Sequence, residues 1–202
     1  LAASGPLRLP DGRVVNRARL FAPSAERGAA DQVAPAPEDR DLWGLSPGAR
    51  VTAFDVLRAV DERDAYANLV LPDLLRERGI TGRDAALATE LAYGTLRGRG
   101  TYDAILSTNV DRDLSELDPP VIDALRLGAH QILSTRIPPH AAVSTTVDLT
   151  RARIGEGPGK LVNAVLRRVS AQDLDAWVDT IAPASSTEPI ERLGLRHSHP
   201  AW

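Results

Sequence analysis

Apolar residues recur at helical spacing from about position 47 onward, and that rhythm is missing before it. Val51, Phe54, Val56, Leu57 and Val60 mark one buried stripe, opened by Ser46 as an N-cap and Pro47 at the first helical position. AYANLVLPDLLRERG predicts a second helix, with Leu69, Val70, Leu74 and Leu75 inward, Pro72 as a kink and Gly79 as the stop. A third helix opens on a Thr81/Asp84 capping box and runs through Leu87, Leu91 and Leu96 to Gly98. TYDAILSTNV adds a short helix before the acidic linker DRDLSELD. Beyond it, PPVIDALRLGAHQILSTR predicts a long amphipathic helix from about Pro120. Further helices follow in PPHAAVSTTVDLTRAR, in PGKLVNAVLRRVS with Pro158 at its start, and in DLDAWVDTIA, capped by Ser170 or Asp173. No alternating pattern competes, so the pattern predicts an all-α bundle of seven or eight helices, in two halves divided near Asp111 to Asp118.

The flanks read differently. In residues 1–45, Pro6, Pro10, Pro23, Pro35 and Pro37 with Gly5, Gly12 and Gly28 interrupt every helical period, which predicts a flexible leader. Arg13, Arg17 and Arg19 lie there among Val14, Val15 and Leu20, either as a basic contact element or as a solvated tail. After Pro183 the segment ASSTEPIERLGLRHSHPAW again reads as loose. The expected organisation is therefore a leader at 1–45, a helical domain at 46–182 and a linker at 183–202.

Composition narrows the options. Aromatic residues make up only 4% of the chain, and the apolar content is mostly Ala, Leu and Val, which suits helix contacts better than a β-sandwich. With a net charge of −3, any nucleic-acid role must come from a local patch. Such a patch exists: Arg151, Arg153, Lys160, Arg167 and Arg168 face one acid, Glu156, whereas Asp103, Asp111, Asp113, Glu116, Asp118 and Asp123 face only Arg112. Arg97 and Arg99 form a second basic turn around Gly98. No spanning apolar run or secretory signal is present, so the expected location is cytoplasmic, without a membrane partner.

Several tempting motifs fail on spacing. GEGPGK is one residue short of a phosphate loop, lacks the following Ser or Thr, and comes after a helix rather than a strand. His140, Ser144 and Asp148 repeat every four residues on one helix face, where a base is not aimed at a nucleophile; His140 reads instead as a helix cap. His130, His140, His197 and His199 lack the convergent carboxylates or thiolates of a metal site. Cysteine is absent, which removes thiolate nucleophiles and disulfides together.

ELAYGTLRGRGTYDAIL, LDPPVIDALRLGAHQIL, IPPHAAVSTTVDL and KLVNAVLRR resemble, in that order and spacing, the NusB-like RNA-binding domain, from about Ala49 to Ile181. Such a domain occurs as a free transcription antitermination factor, which binds RNA and a ribosomal protein. It also occurs at the N-terminus of bacterial 16S rRNA cytosine-C5 methyltransferases of the RsmB (Sun, Fmu) type. The forms YGTLR, LRLGA-x-Q-I-L, P-x-HAAV and VNAVLRR are similar to the methyltransferase version. HPAW at His199 to Trp202 resembles the His-Pro-x-Trp that opens the linker into the catalytic domain, so the chain reads as an N-terminal piece.

The resemblance implies a NusB-like helical fold and a role in binding and positioning RNA during rRNA processing. It implies 16S rRNA and a C-terminal methyltransferase domain of the same polypeptide as partners, with S-adenosylmethionine held by that domain and no cofactor in this chain. Methylation of cytosine at C5 requires a thiolate to add at C6, and this chain has no cysteine, so it is expected to be non-catalytic by itself. The RNA face implied by resemblance includes Arg50 on the first helix and Lys160, Leu161 and Asn163 on the helix bearing K-x-V-N; local charge adds Arg151, Arg153, Arg167, Arg168, Arg97 and Arg99. The antitermination factor carries a denser arginine cluster on its first helix than the Arg50 and Arg58 seen here, and only Arg13, Arg17 and Arg19 could stand in for it. Asn163 has two readings, a base-reading amide or a buried group bonded to a neighbouring helix end, the second being the commoner case.

Overall fold

The computed structural model of the chain describes residues 7–8, 14–15, 47–182, 187 and 189–198. Arg13, Arg17 and Arg19, the Ser46 cap, the HPAW motif and the expected flexibility of the leader lie outside the described residues. Two short strands, β1 (Leu7–Arg8) and β2 (Val14–Val15), pair antiparallel with Leu7 opposite Val15 and Arg8 opposite Val14.

From residue 47 the described chain is helical: α1 (Pro47–Arg63), α2 (Ala67–Glu77), α3 (Gly82–Arg97), α4 (Arg99–Ser107), a 3-10 turn at Leu114–Glu116, α5 (Pro119–Ser134), α6 (Pro139–Arg153), α7 (Glu156–Val169), α8 (Leu174–Ile181) and α9 (Pro189–His197). Nine α-helices among the described residues exceed the expected seven or eight because α9 lies in the segment that reads as loose. Helix α9 docks on α4, where the Thr101 amide donates to Ser198 Oγ at 3.0 Å and the Thr101 hydroxyl donates to the Leu195 carbonyl. None of these helices is long and apolar enough to cross a membrane.

The two halves share one core. Helix α1 buries Ala49, Thr52, Ala53, Val56, Leu57 and Ala59, more than the single stripe expected, because α2, α3, α5 and α6 all pack on it. Helix α5 departs further from expectation: every residue from Asp123 to Gln131 is buried, so it is surrounded rather than amphipathic. Small residues admit the neighbours. A Cβ at Gly128 would lie 2.3 Å from Leu166 Cδ1, so α7 crosses α5 where no side chain fits between them.

The helix ends match the sequence unevenly. The Asp173 carboxylate accepts from the Ala176 amide at 2.8 Å and caps α8, while Ser170 ends α7. Thr81 holds the N-cap position of α3 without a side-chain cap bond. At α6 the cap position belongs to Pro138, and His140 sits inside the first turn rather than capping it.

Candidate nucleic-acid interface

Helix α7 carries the densest candidate cations. Gly155, at φ 141°, makes the turn from α6 into α7 in a region that side-chain-bearing residues rarely adopt, and its amide donates to the Thr150 carbonyl at 3.0 Å. Gly159 continues the close approach, since a Cβ there would meet Arg151 Cγ at 2.6 Å. Val162, Val165, Leu166 and Val169 are buried, each contributing roughly 1.5–3 kcal/mol. Trp177 Nε1 donates to the Val169 carbonyl at 2.9 Å and fixes the far end of α7 against α8. With that face committed inward, Lys160, Asn163 and Arg167 fall on one outward row at i, i+3 and i+7, spanning about 10 Å.

Lys160 and Arg167 are exposed and form no ion pair among the described residues. Asn163 is half-buried, and its amide has no hydrogen-bond partner among the described residues; the satisfied interior Asn expected as the commoner case is not what the structure shows. Arg168 is exposed but anchored, its Nη1 donating to the Asn109 carbonyl at 2.9 Å and lying 3.8 Å from Asp111. Arg151 is exposed and lies 3.3 Å from Glu156 and 3.7 Å from Asp148, so it is loosely paired beside Lys160.

A model of the NusB family matches residues 47–171. The chain belongs to the NusB family. It is 49% identical over 154 residues to a Mycobacterium tuberculosis protein named for methyltransferase activity, covering 76% of this chain and 34% of that protein. It is 30% identical over 153 residues to ribosomal RNA small subunit methyltransferase B of Sodalis glossinidius, covering 76% of this chain and 33% of that one. The chain therefore spans about a third of the length of these relatives. Among solved structures it is similar to antitermination factor NusB in complex with NusE and dsRNA, with TM-score 0.57 and 28% identity over 62% of this chain and 95% of that one. It is also similar to NusB from Aquifex aeolicus, with TM-score 0.55 and 26% identity over 71% of this chain and 94% of that one.

The remaining candidates of this NusB-family chain do not join the α7 row. Arg50 is only 2% exposed: its Nε donates to Gln131 Oε1 at 2.9 Å, and Gln131 Nε2 in turn donates to Thr146 Oγ1 at 3.1 Å, tying α1, α5 and α6 together. An arginine held there does not present its guanidinium to a phosphate backbone, so the surface position expected of Arg50 is corrected. Arg153 reaches back to Asp55 on α1, which also accepts from Arg78 at 2.6 Å, closing α1, the end of α2 and α6 into one cluster.

Arg99 lies 2.8 Å from Asp61 and belongs to a larger network spanning α1, α4 and α5. In it Arg126 donates to both oxygens of Asp103, at 2.7 and 2.9 Å, and lies 3.2 Å from Asp61 and from Asp123. Arg58 meets the other oxygen of Asp123 at 2.7 Å. Burial is the largest influence on Asp123 and pushes its carboxyl up, against the two arginines that favour its charged form. Arg97, at the end of α3, is exposed, has no ion pair among the described residues and faces a cleft away from α7.

Proposed function

We propose that this chain is the RNA-binding and positioning part of a longer, S-adenosylmethionine-dependent 16S rRNA cytosine-C5 methyltransferase, working in the bacterial cytoplasm. The observation that carries the reading is the uncommitted row Lys160, Asn163 and Arg167 on a rigidly seated helix, in a domain whose relatives include rRNA methyltransferases about three times its length. The two cations attract phosphates without reading bases, and the Asn163 amide supplies donor and acceptor atoms beside them. Arg151 sits at the edge of this row and can swing to it at the loss of weak surface pairs, whereas Arg168 is held back by its bond to the Asn109 carbonyl. Arg97 stands apart as a third open cation, whereas Arg50, Arg99 and Arg153 support the scaffold.

The absence of cysteine agrees with a division of labour, since C5 methylation uses a thiolate that this chain cannot supply. The C-terminal region of the longer protein would hold S-adenosylmethionine and perform the transfer. The similarity to a NusB in complex with NusE and dsRNA favours a second reading, a free adaptor that joins RNA to a ribosomal protein.

Fluorescence anisotropy with a labelled 16S rRNA fragment tests the first reading. The chain should bind weakly, with affinity falling roughly 20-fold between 50 and 200 mM salt if about three phosphates are neutralised. Calorimetry should detect no S-adenosylmethionine binding to this chain. Salt-independent RNA affinity, or tight cofactor binding by the isolated chain, would sink the assignment. Tight binding of a ribosomal protein together with a reading frame that stops at Trp202 would favour the adaptor.

A further inference from the structure

A cleft of about 250 Å³ opens on the side of the fold where α3, α4, α5 and α9 meet, with Glu90, Arg97, Tyr102, His130 and Arg196 in its lining. It is built around two rings. Gly94 on α3 and Gly98, which ends that helix one turn later, leave the space those rings occupy: a Cβ at Gly94 would lie 2.3 Å from the His130 ring, and one at Gly98 2.5 Å from the Tyr102 ring. Sequence reasoning missed the site, although in YGTLRG the glycine inside the helix, one turn before the glycine that ends it, signals such close approach.

The polar groups form a chain with one open end. Tyr102 Oη lies 2.8 Å from Ser134 Oγ and 2.8 Å from His130 Nδ1. His130 is 2% exposed, and its Nε2 has no well-formed hydrogen bond among the described residues. Glu90 is the group it faces: Oε1 lies 3.5 Å away, too long for a well-formed bond, and the Glu90 side chain and backbone both favour the protonated ring. A bare lone pair facing a carboxylate would be repelled, so the proton sits on Nε2 and Nδ1 accepts from Tyr102. A buried N–H without a well-placed acceptor destabilises the fold, and the Glu90 carboxylate shows which kind of oxygen would satisfy it.

Two guanidinium groups stand at the rim. Arg97 has no ion pair among the described residues, and Arg196 on α9 makes an exposed pair with Asp175 at 2.7 Å. The Glu90 side chain is 55% exposed and free to swing outward.

We propose that this cleft binds a phosphate group, which accepts from His130 Nε2–H, is flanked by Arg97 and Arg196, and takes the place that the Glu90 carboxylate now fills imperfectly. Asp175 and Glu90 keep the empty cleft near neutrality, and an outward turn of Glu90 leaves a net positive rim. The site stands independently of the RNA row on α7, because it is built from other helices. Its phosphate comes from an RNA backbone or from a small phosphorylated compound.

NMR of the 202-residue chain with ¹⁵N-labelled histidine side chains tests this. Inorganic phosphate, added against a sodium chloride control of equal ionic strength, should shift the His130 Nε2–H resonance saturably. Arg97→Ala should weaken the response several-fold, and Glu90→Gln, which removes the competing carboxylate, should tighten it about threefold or more. Both substitutions lie at exposed positions and preserve the core, unlike a change at His130. A single-stranded RNA that produces the same His130 shift identifies the backbone as the source; a shift with phosphate and none with RNA identifies a small ligand. A His130 resonance unmoved by phosphate and by RNA, in the native chain and in Glu90→Gln, overturns the site. Backbone amides around Lys160 and Arg167 report RNA on α7 in the same spectra, so failure of either proposal is seen without the other.

Discussion

Arg126 and Arg167 are the same residue type on neighbouring helices, and their surroundings make them opposites. Arg126, on α5, is almost enclosed and makes four bonds to Asp61, Asp103 and Asp123. Arg167, on α7, is exposed and has no ion pair among the described residues. Both helices bury one face against the other, so the difference lies in where the acids are. The acids that meet Arg126 come from α1, α4 and its own helix, whereas no acid pairs with Lys160 or Arg167 among the described residues. A cation is available to an outside ligand only where the fold has not already consumed it, and local charge counts do not reveal that.

The largest test of this contrast removes the consumed cation. Arg126→Ala should lower the unfolding free energy by roughly 3–5 kcal/mol in urea denaturation, since it leaves Asp123 with only Arg58 in a buried setting. A loss under about 1 kcal/mol would mean that the network is solvated and that α5 is not the closed helix described. Gly128→Ala, at the crossing of α5 and α7, should cost about 1–3 kcal/mol, because Leu166 has to move aside. An unchanged stability there would show that the two helices are not in close register.

The open cations should behave in the reverse way. Lys160→Glu with Arg167→Glu should weaken RNA binding about tenfold, roughly 1.4 kcal/mol, and change unfolding free energy by no more than about 0.5 kcal/mol. A large stability change with unaltered affinity would invert the comparison. The smallest effect is a pH slope. Burial holds the His130 imidazole below the usual histidine range; Glu90 opposes that shift and Arg97 adds to it. The native state therefore binds fewer protons than the unfolded chain once pH falls below about 6.5, so stability declines on acidification until the lower native pKa is passed. His130→Gln should lack this part of the slope between about pH 7.5 and 5.5, measured as urea midpoints.

The sequence was legible where structure is local. The apolar spacing of Val162, Val165 and Leu166 located α7, and the same pattern left Lys160 and Arg167 outside, where the structure has them. Asp173 is one of the two caps that the sequence offers for α8. What stayed hidden depended on distant partners: Arg50 meets Gln131, Arg153 meets Asp55 and Arg99 meets Asp61, separations of 81, 98 and 38 residues. A window of neighbouring residues cannot weigh such pairs. Helix α9 was missed for another reason, its short apolar set of Ile190, Leu193 and Leu195, although Pro189 at its start and Arg196 and His197 in its last turn were usable signals. Helix α5 misled through its polar residues, which suggest an exposed face until Asp123, Arg126, His130 and Gln131 are each seen to have interior company.

The glycine at 128 has a consequence for how a ligand would pay the entropy of binding. Leu166 fills the space beside that backbone, so α7 cannot turn about its axis without driving a side chain into α5. The outer row is thus set before any ligand arrives, and no backbone has to be ordered on contact. Only the side-chain rotamers of Lys160 and Arg167 are frozen, about 0.5–1.5 kcal/mol each. Their long flexible tips on an immobile rail tolerate variation in phosphate position, which suits the backbone contacts proposed for this row.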